Sequence, residues 1–246
     1  MNKITWKIYA IYSYYARYRL SRMIPNMHQI ISEYSVKSNT TGTKYPTLYK
    51  AAWVIMKNKP KYILESGTGT STLILAELIL LLQERDPSYS CKIISMESMR
   101  DWYELAVELM PEKYQGIVEI RLGEKEKYDY SIFRGYIHSN IPNLPYEFVL
   151  IDGPNFNDDN GSSTCMDAIK VRRMSNLETV YCVIDTRNTT VFMMQQIFGV
   201  ASSRYFPTTR SCIVQMKKIR NAPRLDSTSF KFSFMGKLNL KSNSLV

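Results

Sequence analysis

Hydrophobic and polar positions along this chain follow two alternating periods. Short apolar runs bounded by turn residues recur at 62–64, 91–96, 117–122, 146–151, 179–184 and 211–217, and each reads as a strand. Between them, apolar residues recur at helical spacing over 47–57, 72–84, 101–110, 165–175 and 189–198. Residues 200–206 suit an antiparallel partner for the last strand, and 128–139 read as helical. Strands that alternate with helices predict an α/β fold: a doubly wound, mostly parallel, seven-stranded sheet with an antiparallel last strand and helices on both faces.

Both ends fall outside this alternation. Residues 3–24 form an expected amphipathic helix, in which Ile4, Ile8, Ile11 and Tyr15 recur at helical spacing among Lys3, Lys7, Arg17, Arg19 and Arg22, and Pro25 ends it. Residues 35–46 read as a polar loop, after which Pro46 opens the next helix. The tail from Arg220 is basic and polar, with Phe230, Phe232 and Phe234 in alternation as an expected edge strand or dimer contact. The expected division is therefore an N-terminal helix and linker over 1–44, a central domain over 45–219 and a basic tail over 220–246.

The densest local signal is 61–72, KYILESGTGTST. A strand ends in Glu65-Ser66-Gly67-Thr68-Gly69-Thr70 and a helix follows, so backbone N–H groups and a helix N-terminus converge on one small volume. No lysine follows Gly69, which excludes a P-loop, and Thr72 stands where a dinucleotide fingerprint needs its third glycine. An ordinary strand–helix turn without ligand remains open. Glu65 favours a cationic or polyhydroxyl ligand over a phosphate.

Composition narrows the class. At 246 residues with 45% apolar content the chain suits one domain with a full core. Its longest apolar run is too short to span a bilayer, and no secretory signal is evident at the start. Cys91, Cys165, Cys182 and Cys212 are too far apart for a zinc motif and read as reduced thiols, which points to the cytoplasm. The formal charge of +10 suggests anionic company: nucleic acid, a phosphorylated substrate or a membrane surface. For residues 3–24 the two readings are packing on the domain or a second copy, giving a homo-oligomer, and peripheral contact with an anionic membrane.

Acids end several of the strands. Glu97 closes the second, thirty residues past Gly67, the offset expected for a ribose-gripping carboxylate in a doubly wound sheet. Asp152 closes the fourth and Asp185 the fifth, on the edge where open α/β sheets keep their ligands. Asp158 and Asp159 sit in the polar loop that follows Pro154.

Together, Ile63-Leu64-Glu65-Ser66-Gly67-Thr68-Gly69, Ile94-Ser95-Met96-Glu97, Phe148 to Pro154 and Val183-Ile184-Asp185 resemble the class I S-adenosylmethionine-dependent methyltransferases, and most of all a branch that O-methylates small molecules and sugars. The resemblance covers roughly 45–217. It implies a Rossmann-like fold with S-adenosylmethionine bound by Glu65, Ser66, Gly67, Thr68, Gly69, Ser71 and Thr72 at the methionine end. Glu97 would take the ribose hydroxyls, and Ser98 or Met99 would border the adenine. Asp152 would face the transferred methyl as base or metal ligand. Metal-dependent members bind Mg²⁺ through acids that correspond to Asp152 and Asp185, with Asn188 or Asp158 completing the set; Thr186 stands where Asp or Asn is often found.

A sulfonium is already activated, so such an enzyme mainly aligns an acceptor oxygen with the methyl and helps it lose its proton. Asp152 is the first candidate base. His138, taken as a loop histidine, is a distant second, and His28 ranks lower. The leading expectation is methyl transfer to a hydroxyl of a sugar, a glycan or another small polyhydroxyl acceptor. Nucleic-acid methylation ranks below it, because neither an Asn-Pro-Pro-Tyr motif nor a catalytic Pro-Cys pair occurs. A nicotinamide or nucleotide-sugar enzyme and a non-catalytic binding module complete the alternatives.

Overall fold

The structure, a computed structural model, describes residues 3–38, 44–153, 157–158, 161–162 and 164–219. In chain order the helices are α1 (Lys3–Met23), α2 (Met27–Ser38), α3 (Tyr45–Asn58), α4 (Thr70–Arg85), α5 (Arg100–Glu108), α6 (Asp167–Met174) and α7 (Asn188–Phe198). The strands are β1 (Tyr62–Ser66), β2 (Lys92–Glu97), β3 (Val118–Leu122), β4 (Lys125–Tyr130), β5 (Phe133–His138), β6 (Phe148–Ile151), β7 (Asn157–Asp158), β8 (Gly161–Ser162), β9 (Thr164–Cys165), β10 (Thr179–Ile184), β11 (Ser203–Phe206) and β12 (Ser211–Lys217).

Seven strands make the main sheet in the order β11-β12-β10-β6-β1-β2-β3. The five from β10 to β3 run parallel, whereas β12 runs antiparallel to both of its neighbours. The chain leaves β1 toward β2 on one side and returns to β6 on the other. The crevice at the carboxyl ends of β1 and β6 is thus the topological switch point, where sheets of this kind bind ligands.

Alternate residues of these strands serve two cores. Ile63, Ile93, Phe148, Leu150 and Val183 pack with Leu20, Ile30, Ile55, Ile74 and Leu78, which belong to α1 through α4. Leu64, Ile94, Val149, Ile151, Cys182 and Ile184 pack with Ala168, Ile169, Val191 and Met194 of α6 and α7. Strands apolar on both faces are what a parallel sheet sandwiched between helices requires. All four cysteines are free and buried. Burial pushes the thiols of Cys91 and Cys212 up to about 12, and those of Cys165 and Cys182 well above their ordinary value.

Two segments depart from the sequence reading. Residues 128–139, expected to be helical, instead form the hairpin β4–β5, paired from Lys125↔His138 to Tyr130↔Phe133, with β9 added alongside β5. Its two-residue turn, Ser131-Ile132, holds Ser131 at φ 57°, and the buried Tyr130 and Ile137 alternate with exposed Asp129 and the half-buried Tyr136. Residues 35–38, expected in a loop, continue α2. Tyr34 and Ser38 are buried there, and the Ser38 hydroxyl donates to the Tyr34 carbonyl at 2.7 Å, satisfying one acceptor of the last turn. The expected Phe230–Phe234 strand and the Asp159 position lie outside the described residues.

Candidate functional site

The site begins where β1 runs into α4. Gly67 has φ +98°, a conformation that glycine adopts at no steric cost. Its N–H donates to the Met96 carbonyl at 2.8 Å, while Ser66 O accepts from the N–H of Asp152 at 3.0 Å and from that of Gly153. The bend after β1 is thereby fixed against the ends of β2 and β6. A β-carbon on Gly67 would come 2.6 Å from Gly153, whereas one on Gly69 would meet nothing within 4 Å. The first glycine therefore serves backbone packing, and the second faces open space at the start of α4.

Glu65 is fully buried beneath this bend. Its carboxylate accepts from Ser71 Oγ at 2.6 Å, Thr72 Oγ1 at 2.6 Å and Ser95 Oγ at 2.8 Å. Thr72 Oγ1 in turn accepts from the Gly69 N–H at 3.0 Å, and Thr68 Oγ1 lies 2.8 Å from Ser95 Oγ. Burial raises the Glu65 carboxyl to about 7, against the opposing effect of the three hydroxyl bonds. The side chain expected to contact a ligand is instead committed to the turn itself, and Ser71, Thr72 and Thr68 are committed with it. The N–H groups of Gly67 and Gly69 are taken as well, by Met96 and Thr72, so what this leaves for a ligand is the N–H groups of Thr68 and of the first turn of α4.

Glu97 closes β2 on the same rim. Its Oε1 accepts from the N–H groups of Ser98 at 2.7 Å and Met99 at 2.9 Å, which fixes the carboxylate at the start of α5. Among the described residues no side chain bonds Oε2. Met99 is exposed. Tyr34, from α2, is buried in the helix-side core. Burial raises its hydroxyl to about 12, and the nearby charges of Glu65 and Glu97 push it the same way.

Asp152 and Asp185 end β6 and β10 and meet as expected, but a third group meets them. Lys44 Nζ lies 3.3 Å from Asp152 Oδ1 and is hydrogen-bonded to Asp185 Oδ2. Arg187 Nε lies 3.0 Å from Asp185 Oδ1, and Arg187 Nη2 donates to the Asp152 carbonyl at 2.6 Å. Burial tends to lower the Lys44 pKa, and the two carboxylates more than reverse this, so the amine stays charged. Asp185, almost fully buried, is pushed up by burial and by Asp152 despite its two cations.

Two carboxylates already faced by Lys44 and Arg187 do not fit a divalent ion, which would sit against positive charge. The other expected ligands are not assembled either. Thr186 Oγ1 donates to Asp185 Oδ2 at 3.3 Å, and Asn188 Oδ1 accepts from the Tyr205 hydroxyl at 3.2 Å. Among the described residues no group of three or more His, Cys, Asp or Glu could hold a metal ion. Asp158 falls in β7.

Ser66 turns to the opposite face of the sheet, where its hydroxyl donates to Asp167 Oδ2 at 2.7 Å. The same carboxylate accepts the His138 backbone N–H at 2.8 Å and bonds His138 Nδ1 at 2.6 Å. His138 is therefore the last residue of a strand and fully buried, not a loop histidine. It ties the β4–β5 hairpin to the end of β1 through the first turn of α6. His28 is exposed, with Nδ1 at 3.4 Å from Arg17 Nη2, and takes no part in the rim.

No protein-family model matches the chain, and no curated protein matches it. Similar solved structures include a point mutant of MtNAS in complex with S-adenosylmethionine, 13% identical with a TM-score of 0.34, which covers 83% of this chain and 75% of that one. NSun6 from Pyrococcus horikoshii with SFG is 12% identical with a TM-score of 0.34, and the match covers 72% of this chain and 52% of that one. Similarity this remote carries over no residue roles.

Proposed function

We propose that this chain binds S-adenosylmethionine at the switch point between β1 and β6 and transfers its methyl group to a hydroxyl of a sugar or another small polyhydroxyl acceptor, without a metal ion. One observation carries the reading. The Gly67 bend, Glu97 and Asp152 end three adjacent parallel strands, so an open turn leading into a helix N-terminus, a carboxylate with one oxygen unclaimed among the described residues and a second carboxylate share one rim. That set matches the three demands of a sulfonium nucleoside: a polar amino-acid end, a ribose diol and a reacting carbon.

In this reading Glu97 Oε2 accepts from the ribose hydroxyls, and the N–H groups of Thr68 and Thr70, which the turn itself does not use, receive the ligand's carboxylate at the start of α4. Glu65 acts through the turn, holding Ser71 and Thr72 so that the open edge at Gly69 keeps its shape. The bound sulfonium supplies a methyl group that needs only in-line attack. As the acceptor oxygen bonds to the methyl carbon, the carbon–sulfur bond breaks with its electrons going to sulfur, and the acceptor proton passes to Asp152. Lys44 holds Asp152 in place and offsets the negative charge gathered beside Asp185.

Calorimetry with S-adenosylhomocysteine tests the cofactor half. Binding is expected, and Glu97→Ala should weaken it roughly 10- to 100-fold, the loss of hydrogen bonds to a charged group. Absence of heat at millimolar ligand would sink the reading. Methyl transfer to a panel of sugars and glycans tests the acceptor half. It should be unchanged by EDTA and should fall by at least about 100-fold in Asp152→Ala if Asp152 is the general base.

A further inference from the structure

We propose that the outward face of α1 docks on an anionic lipid surface, making the chain a peripheral membrane protein. The inference is independent of the chemistry assigned to the rim.

Exposed apolar area is concentrated on this helix. Of the twelve exposed large hydrophobic side chains among the described residues, six lie on it: Trp6 at 60%, Ile8 at 46%, Ile11 at 70%, Tyr14 at 76%, Tyr15 at 43% and Tyr18 at 54%. Five of them share one side, and Trp6 projects from a flank nearer Leu20. At 100° per residue Lys7, Ile11, Tyr14, Tyr18 and Arg22 fall on one stripe, with Ile8 and Tyr15 along its side. The opposite side carries the fully buried Ala16 and Leu20, and the helix packs there on α3. The fold is thus served by one face, and an aromatic and aliphatic strip remains on the other.

Charge identifies the occupant. Residues 3–23 contain five basic side chains and no acidic one. Lys7, Arg17, Arg19 and Arg22 are exposed, and the Arg19 guanidinium donates to the Tyr15 hydroxyl at 3.0 Å; this pair also rests on the Tyr49 ring of α3, so it borders the strip rather than lying at its centre. A second copy placed on this strip would set basic groups against basic groups with no carboxylate of the helix to pair them. A polyanion without apolar depth would leave Ile8 and Ile11 in water. An anionic bilayer satisfies both: its phosphates meet the Lys and Arg groups, while isoleucines enter the acyl boundary and Trp and Tyr sit at the headgroup level. At 21 residues the helix is about 30 Å long and would lie in the surface. No helix among the described residues is long and apolar enough to cross a membrane.

Co-sedimentation of the full chain with phosphatidylglycerol–phosphatidylcholine vesicles, beside pure phosphatidylcholine vesicles, tests this. Binding to the anionic vesicles is expected to be at least tenfold stronger than to neutral ones and to weaken in 0.5 M salt. The double variant Ile11→Asp, Tyr14→Glu should lose at least tenfold of it while keeping the wild-type melting temperature, since both side chains are exposed. Lys7→Ala with Arg22→Ala should reduce binding to the anionic vesicles only. Equal pelleting with both vesicle types, or none with either, would overturn the proposal. So would a dimer by light scattering that the double variant abolishes, which would assign the strip to a second copy. Retention of a labelled RNA oligomer by this same face, with vesicles unable to compete, would overturn it in favour of nucleic acid.

Discussion

Gly67 and Gly153 lie backbone against backbone at the centre of the rim: a β-carbon on Gly67 would fall 2.6 Å from Gly153 Cα, and one on Gly153 would fall 2.5 Å from Gly67 Cα. Gly67 also sits at φ +98°. Gly67→Ala is therefore expected to cost about 2–5 kcal/mol, the sum of a left-handed conformation and an overpacked contact. Gly69 has φ 170°, which any residue adopts, and open space around it. Gly69→Ala should leave stability within about 1 kcal/mol and still weaken S-adenosylhomocysteine binding, because the added methyl occupies the ligand's side of the turn. Thermal melts and calorimetry on the two variants separate the roles; equal loss of stability in both would show that the second glycine also serves packing.

Glu65 gives the fold a pH dependence of its own. Its folded pKa, about 7, lies above the reference of 4.5 because burial disfavours the charge. The folded state therefore binds more protons than the unfolded state between those values, and stability falls as pH rises through pH 4.5 to 7. At about 1.4 kcal/mol per unit, the loss is on the order of 3 kcal/mol. Urea midpoints measured at pH 5 and pH 8 should show this decline in the wild type and a much smaller one in Glu65→Gln. Parallel curves for the two proteins would refute the assignment.

Removing Lys44 leaves Asp185 with Arg187 as its remaining cationic partner at the rim. Lys44→Met should destabilise the protein at pH 7.5 by about 1–2 kcal/mol, less than a fully buried pair would give because the lysine side chain is 42% exposed. Asp185, already pushed up by burial and by Asp152, should rise further. The deficit should shrink on moving to pH 5, where protonation relieves the repulsion. A deficit that grows toward pH 5 would contradict this picture.

Asp167 joins the hairpin to the main sheet through His138 and Ser66. Burial works against its charge, but the imidazole of His138 and the surrounding hydrogen bonds hold its pKa below the ordinary value. Its contribution is present above that ordinary value, near 3.8, and is lost only in stronger acid. Asp167→Ala leaves three buried groups without a partner and should cost about 3–5 kcal/mol. Hydrogen exchange should report it first in β5, at the His138 amide.

The main sheet was legible because its strands are apolar runs punctuated by turn residues; the expected strand over 179–184 coincides with β10 (Thr179–Ile184). The hairpin was not legible, since its turn is Ser131-Ile132 rather than an Asn-Gly or Asp-Gly pair, and tyrosines among charged residues also match a helical face. α2 was not read at all: residues 27–34 carried no expectation and 35–38 were assigned to a loop on their Ser and Lys content, although the buried Met27, Ile30 and Tyr34 stand at helical spacing. At the rim the acids could be placed because strand ends are visible in sequence. Lys44 could not, for it reaches Asp152 across 108 positions and belongs to no local pattern. Asp167 was missed for the same reason: what it does depends on His138 and Ser66, supplied by other elements.

The four sequestered thiols make the molecule its own reporter of opening. Two sit in strands of the central sheet, Cys182 in β10 and Cys212 in β12, with Cys91 just before β2 and Cys165 in β9, so no small fraying of the termini uncovers them. An alkylating reagent would then modify the intact protein only as fast as whole layers separate, and the order in which the four react would time the disassembly of hairpin, sheet edge and centre without any added probe.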